Sequence, residues 1–163
     1  MHCAVLVFPG SNCDNDLYKA ILQIKGAIVE YVWHADTDLD RFDVLLIPGG
    51  FTYGDYLRPG ALAGVSPVIA SVKKAANSGK LVLGICNGFQ ILTECKLLDG
   101  ALIKNTSQLF NCTKISLRVE NQKNKFLKNL KKNVVEYPIA HSQGRFYIDK
   151  ENLKKLYDND SIA

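Results

Sequence analysis

Three short apolar runs, each closed by a turn, constrain this chain more than any other feature. They are CAVLVF at 3–8 before Pro9-Gly10, VLLI at 44–47 before Pro48-Gly49-Gly50, and LVLGI at 81–85 before Cys86. A strand with one wet face alternates polar with apolar residues, so runs without alternation belong to strands covered on both faces. Between them lie stretches with helical spacing. Asp14 to Lys25 places Leu17, Ile21, Leu22 and Ile24 on one side, with Asn12 and Asp14 positioned to cap its start and Gly26 to end it. Ala27 to Trp33 follows as a strand, and Ala61 to Ala76 forms a second helix. Strand, helix, strand, helix predicts an α/β fold with a mostly parallel open sheet flanked by helices.

After Gly100 the pattern changes. Ile115, Leu117 and Val119 alternate with Lys114, Ser116 and Arg118, and Val134 to Ala140 supplies a matching strand, which predicts an antiparallel extension on one edge. A last helix is expected from Asp149 to Tyr157, capped by Asp149, with Leu153, Leu156 and Tyr157 turned inward. Ser161-Ile162-Ala163 has the character of an opening strand. No repeat or Pro/Gly/Ser linker divides the chain, and 163 residues that are 47% apolar suit a single domain spanning 1–163.

Charge narrows the partners. The net +4 is uneven: residues 1–100 hold eight Lys/Arg against ten Asp/Glu, residues 101–163 twelve against six. The densest stretch, Lys123 to Lys132, spaces Phe126, Leu127 and Leu130 as a short amphipathic helix with solvated lysines, and no nucleic-acid partner is expected from it. Five cysteines without metal-ligand spacing, and no signal-peptide pattern, predict a reduced, cytoplasmic protein with no metal. The longest apolar runs reach about eight residues, well short of the roughly 20 that span a bilayer, so no membrane segment is expected.

Chemistry concentrates at Leu81 to Gln90. An apolar strand enters Gly84-Ile85-Cys86-Asn87-Gly88 and then a helix, the layout of a nucleophile elbow with cysteine in the place of serine. The flanking glycines permit a sharp turn, and the amide of Asn87 then points the same way as the sulfur, so nucleophile and oxyanion donor come from one turn. The positive end of the following helix dipole favours a thiolate there. Cys3, Cys95 and Cys112 fall on strands or on the far side of a helix, and Cys13 in a loop. A second candidate is the loop from Ile47 to Arg58, on the same carboxyl edge, where Gly49-Gly50 allows the amide of Gly50 or Phe51 to turn toward an oxyanion.

Four stretches carry a family resemblance: VFPGSNCDND (7–16), IPGGFTYGDYLRPGALA (47–63), LGICNGFQIL (83–92) and PIAHSQGRFY (138–147). With them the chain resembles the class I (triad) glutamine amidotransferases, and within that class the glutaminase subunits of phosphoribosylformylglycinamidine synthase. The resemblance covers essentially all 163 residues in the same order. It implies a flavodoxin-like fold and a Cys86 that attacks the glutamine side-chain amide through a thioester. By the same resemblance Gly50 and Asn87 supply the oxyanion amides, and Gly49, Phe51, Gln90, Asn105, Ser107, Phe110 and His141 help to hold glutamine. The partner it implies is a synthetase subunit that uses ATP and magnesium, with a small accessory subunit; this chain itself would need no cofactor.

Two departures accompany the resemblance. Ser142-Gln143 stands where the family has Gly-Glu, and the triad His and Glu belong to a later segment, so the domain is expected to lack its C-terminal part. Losing an acid-base residue costs about 10² to 10⁴ in rate, which makes a truncated scaffold that binds the synthetase the alternative function. A cysteine-elbow peptidase would want a histidine soon after its nucleophile, and none stands between Cys86 and His141.

Overall fold

The runs at 3–8 and 44–47 form the buried centre of a parallel sheet, while the run at 81–85 makes its half-buried edge, with a strand paired on one side only. In the computed structural model, which describes residues 1–163, strands β1 (His2–Val7), β2 (Ile28–Trp33), β3 (Val44–Ile47) and β4 (Leu81–Gly84) pair in the order β2-β1-β3-β4. Every pairing is parallel; Val5 lies between Tyr31 and Leu46, and Leu46 lies beside Leu83. Alternate residues feed opposite faces. Ala4, Leu6, Leu45 and Ile47 join Val68, Ile69 and Val72 of helix α2 (Pro67–Asn77) and Ile91 and Leu92 of helix α3 (Asn87–Glu94). On the other face Cys3, Val5, Val29, Val44 and Leu46 meet Leu17, Tyr18 and Ile21 of helix α1 (Asp14–Leu22). Burying each large aliphatic side chain of this kind contributes about 1.5–3 kcal/mol.

The helix limits differ from the sequence reading for identifiable reasons. α1 ends at Leu22 rather than Lys25: Gln23 and Ile24 close three-residue turns on Ala20 and Ile21, Gly26 takes a φ of 80°, and Leu22 and Ile24 are exposed rather than inward. Neither Asn12 nor Asp14 caps it. Cys13 occupies that position without a side-chain bond, because this loop is tied sideways to Gly49 through the Cys13 amide (3.2 Å). α2 begins at Pro67 instead of Ala61. A residue before proline is steered away from helical backbone, and Ser66 is extended (ψ 151°), so residues 63–65 make only a short 3-10 turn.

Residues 1–98 form one compact unit and 99–163 another. In the second, β5 (Ala101–Ile103) pairs antiparallel with β8 (Arg145–Tyr147), and β6 (Asn111–Arg118) with β7 (Val134–His141). The antiparallel part is thus two separate two-stranded ribbons, each a sheet of its own rather than an extension of the parallel one. Helix α4 (Lys150–Asp158) is capped as expected, the Asp149 carboxylate accepting from the Asn152 amide at 2.9 Å. Tyr157, however, is exposed, and Ser161 closes the helix end on Leu156 rather than opening a strand. Lys123 to Lys132 forms turns, not a helix. There the Asn124 side chain accepts from the Phe126 amide (2.8 Å), a local bond that competes with helix formation. No helix is long and apolar enough to cross a membrane.

Candidate active site

Cys86 sits between β4 and α3 with φ 54° and ψ −110°, backbone that a side-chain-bearing residue rarely adopts. Strain of this kind costs on the order of 1–3 kcal/mol and persists only where the surroundings enforce it. Two glycines do so. A Cβ on Gly84 would lie 2.6 Å from the Gly88 carbonyl oxygen, and one on Gly88 would overlap the Ile47 carbonyl oxygen of β3. The G-x-C-x-G spacing therefore lets the elbow press directly against the neighbouring strand. The sulfur-bearing residue is exposed, and the Gly88 and Phe89 amides close on Ile85 and Cys86, which leaves the Asn87 amide at the head of the helix beside it.

The loop after β3 meets the elbow. A Cβ built on Gly49 would stand 3.3 Å from Cβ of Cys86. Gly50, at φ 135°, forms an isolated antiparallel bridge with Ser11, and a Cβ there would fall 2.5 Å from the Asn12 amide nitrogen. The Phe51 amide donates to the Gly10 carbonyl at 3.2 Å, so of the two amides considered for the oxyanion, that of Phe51 is already engaged. The Tyr53 amide donates to Pro9 at 2.7 Å. The stretch PGSNC after β1 thus acts as a brace for the Gly-Gly loop. The crossing of β1 to β2 on one side and β3 on the other makes this the switch point of the sheet, where ligand crevices open.

Asn87 has a role that its position in the sequence does not advertise. Its side chain is fully buried, and Oδ1 accepts from the Thr52 hydroxyl (2.7 Å) and the Thr52 amide (3.2 Å). Its Nδ2 donates to Oε1 of Gln90 (2.9 Å) and toward Asp55 (3.4 Å). One side chain therefore staples the 49–58 loop to α3. Arg58 adds a second tie through two hydrogen bonds to Glu94 (2.7 and 2.6 Å). Between these ties Tyr53, Gly54, Asp55 and Leu57 all have positive φ, and the Tyr53 hydroxyl meets His34 (3.3 Å) and Ser66 (3.1 Å). Burial pushes the Asp55 carboxyl up from its ordinary value. The sequence signal for this staple was slight: a polar residue one step past Cys86, and a threonine in the other motif.

Six of the expected site residues, Gly49, Gly50, Phe51, Cys86, Asn87 and Gln90, come together in the first unit. Asn105, Ser107, Phe110 and His141 lie in the second. There Asn105 is buried and its side chain is fully occupied. Its Nδ2 donates to the carbonyls of Leu109 and His141 (2.9 Å each), and its Oδ1 accepts from the Gly144 amide (3.2 Å) and meets Nδ1 of His141 (3.1 Å). The His141 ring fills the place a Gly144 side chain would take. Ser107 accepts from the Leu109 amide (3.3 Å), and Phe110 is exposed.

A family model described as the CobB/CobQ-like glutamine amidotransferase domain matches residues 1–163. Among solved structures, PurLQS from Thermotoga maritima is 46% identical over 91% of this chain and 70% of that chain, with a TM-score of 0.83. A Thermoplasma acidophilum protein described as one component of a GMP synthase is 20% identical over 87% of this chain and 65% of its own, with a TM-score of 0.59, a likeness of fold alone.

Proposed function

The chain belongs to the CobB/CobQ-like glutamine amidotransferase domain family, and from that premise we propose that it releases ammonia from glutamine for a synthetase subunit. The acceptor reaction is the conversion of formylglycinamide ribonucleotide to formylglycinamidine ribonucleotide in purine biosynthesis, with ATP and magnesium used by the partner. The likeness to PurLQS supports that choice within the family. Both compact units fall inside one amidotransferase domain on this reading, since the family match runs across them.

The observation that carries the reading is the meeting of Cys86, at its left-handed elbow, with Gly49-Gly50 on the carboxyl edge of the sheet. In the proposed reaction the Cys86 sulfur attacks the side-chain amide carbon of glutamine. The oxyanion that forms is met by the amides of Gly50 and Asn87, ammonia leaves, and water hydrolyses the γ-glutamyl thioester to glutamate. Donors fixed by the backbone need no reorganisation as charge develops, and one such donor is worth about 10²–10³ in rate. Gly49, Phe51 and Gln90 are proposed to border the glutamine. The assignment of Asn105, Ser107, Phe110 and His141 to glutamine binding rests on the family resemblance, as does a small accessory subunit.

The test is glutaminase turnover of the full chain, with and without its synthetase subunit, for wild type and Cys86→Ala. Loss of at least about 10³-fold in the variant is the expected result. Turnover that survives Cys86→Ala overturns the assignment. A wild-type chain that binds the synthetase but never turns over favours the scaffold alternative.

A further inference from the structure

We propose that Cys13 and Cys86 form a paired-thiol site that a peroxide closes into a reversible disulfide, with Cys86 as the oxidised partner and Cys13 as the thiol that captures it. The proposal rests on the proposed function only in taking Cys86 as the reactive sulfur.

The two cysteines come from different motifs, one after β1 and one after β4, and Gly49 brings them together. A Cβ at Gly49 would lie 3.3 Å from Cβ of Cys86 and 3.6 Å from Sγ of Cys13. Both side chains therefore crowd the same point, over an α-carbon that carries only hydrogen. The Cys13 amide donates to the Gly49 carbonyl at 3.2 Å, which ties the Cys13 backbone to that glycine. Disulfides require Cβ atoms roughly 3.5–4.5 Å apart, so closing the bond takes a shift of the Cys13 loop toward the elbow together with rotation of the two sulfurs toward each other across Gly49. Both residues are exposed, whereas Cys3 and Cys95 are buried and Cys112 belongs to β6 of the other unit.

Position separates the roles, since Cys86 stands at the head of α3 and Cys13 in the loop before α1. Partial burial pushes the Cys13 thiol up, and Asp16, Cys86 and Asp14 push it further. Once Cys86 is oxidised to a neutral sulfenic acid, the contribution of its negative charge disappears and Cys13 loses its proton more readily.

The chemistry balances in two steps. The Cys86 thiolate attacks one oxygen of hydrogen peroxide, the O–O bond breaks, and hydroxide leaves, taking up a proton as water; Cys86 is then a sulfenic acid. The Cys13 sulfur, its proton passed to solvent, attacks the Cys86 sulfur, the S–S bond forms and the S–O bond breaks with loss of a second water. Two thiols and one peroxide thus give one disulfide and two waters, and a dithiol reductant reverses the result. The consequence is an enzyme that shuts off under peroxide yet avoids irreversible oxidation of its nucleophile.

The experiment treats the purified full chain with hydrogen peroxide, alkylates the remaining thiols, and maps cross-linked peptides by mass spectrometry. Wild type is expected to yield a Cys13–Cys86 cross-link and to recover its alkylatable Cys86 after dithiothreitol. In Cys13→Ser and Cys13→Ala the same dose is expected to drive Cys86 to sulfinic acid, which dithiothreitol does not reverse. A wild-type Cys86 that stops at a dimedone-reactive sulfenic acid without the cross-link overturns the proposal, as does equal recovery of Cys86 in the variants. The readout is covalent, so it is independent of the glutaminase assay: a cross-link in a chain without turnover faults the proposed function alone, and Cys86-dependent turnover without a cross-link faults this inference alone.

Discussion

At one residue, burial couples the stability of the fold to pH. Asp55 sits in the stapled loop with its carboxyl pushed up by burial, so the folded chain binds its proton more tightly than the unfolded chain does. The sign follows from linkage: Asp55 favours the fold fully below the ordinary carboxylate value of 3.8, and that contribution is lost as pH rises through the raised folded value. At pH 7 the ionised Asp55 is therefore a small liability, reduced by its partial exposure. Asp55→Asn keeps an oxygen to accept from Asn87 and suits the φ of 55°, which asparagine tolerates well. The variant is expected to melt roughly 1–3 °C above wild type at pH 7, with the gap narrowing as pH falls through the raised folded value and closed below 3.8, where the wild-type carboxyl is neutral in both states. Thermal melts across that range check it, and a gap that does not change with pH rejects the linkage argument. Neither the shift nor its cause was legible in the sequence, because Asp55 lies in a motif whose burial depends on a helix far along the chain.

At the scale of elements, the 49–58 loop and α3 behave as one piece because Asn87 joins them. Asn87→Ala leaves its backbone amide, and hence the proposed oxyanion donor, in place, but strips the buried Thr52 hydroxyl and amide of their acceptor. Leaving such groups unsatisfied costs about 1–3 kcal/mol. The variant is expected to lose stability in that range and to turn over poorly because the loop shifts away from Cys86. A double-mutant cycle with Thr52→Val, read by denaturant melts, is expected to give a coupling of about 1 kcal/mol or more, and additive effects would contradict the staple. The sequence reading found both elements and their shared edge. It missed the bond between them, since a polar side chain gives no sign of which distant amide it will meet. The opposite failure occurs at 123–132, where helical spacing of Phe126, Leu127 and Leu130 lost to the local turn around Asn124.

For the molecule as a whole, the two units differ in how much they bury. Every fully buried aliphatic or aromatic side chain lies within residues 1–98, and in residues 99–163 the buried residue is Asn105, a polar one. Two-stranded ribbons without a covered apolar face are weakly stable by themselves. Amides of β1 and β3 are therefore expected to exchange with solvent at least about 10²-fold more slowly than those of β6 and β7 in native-state hydrogen exchange. Comparable protection in both sets would contradict this division of stability. The basic surplus also belongs to 101–163, so the half with the least buried core carries most of the positive charge.

The sequence by itself determined the core of the sheet and the elbow at Cys86. The short unbroken apolar runs at 3–8 and 44–47 are satisfied by strands covered on both faces, and glycines two positions either side of Cys86 are needed wherever that turn is made. Both are local consequences of residue type. What only the tertiary structure decided is which groups meet there: Gly49 against Cys86 and Cys13, Asn87 against Thr52, Asn105 against His141. Such meetings depend on strand order and on backbone approach between segments remote in the chain. Periodicity and spacing record the faces of each element but not the neighbour each face will find.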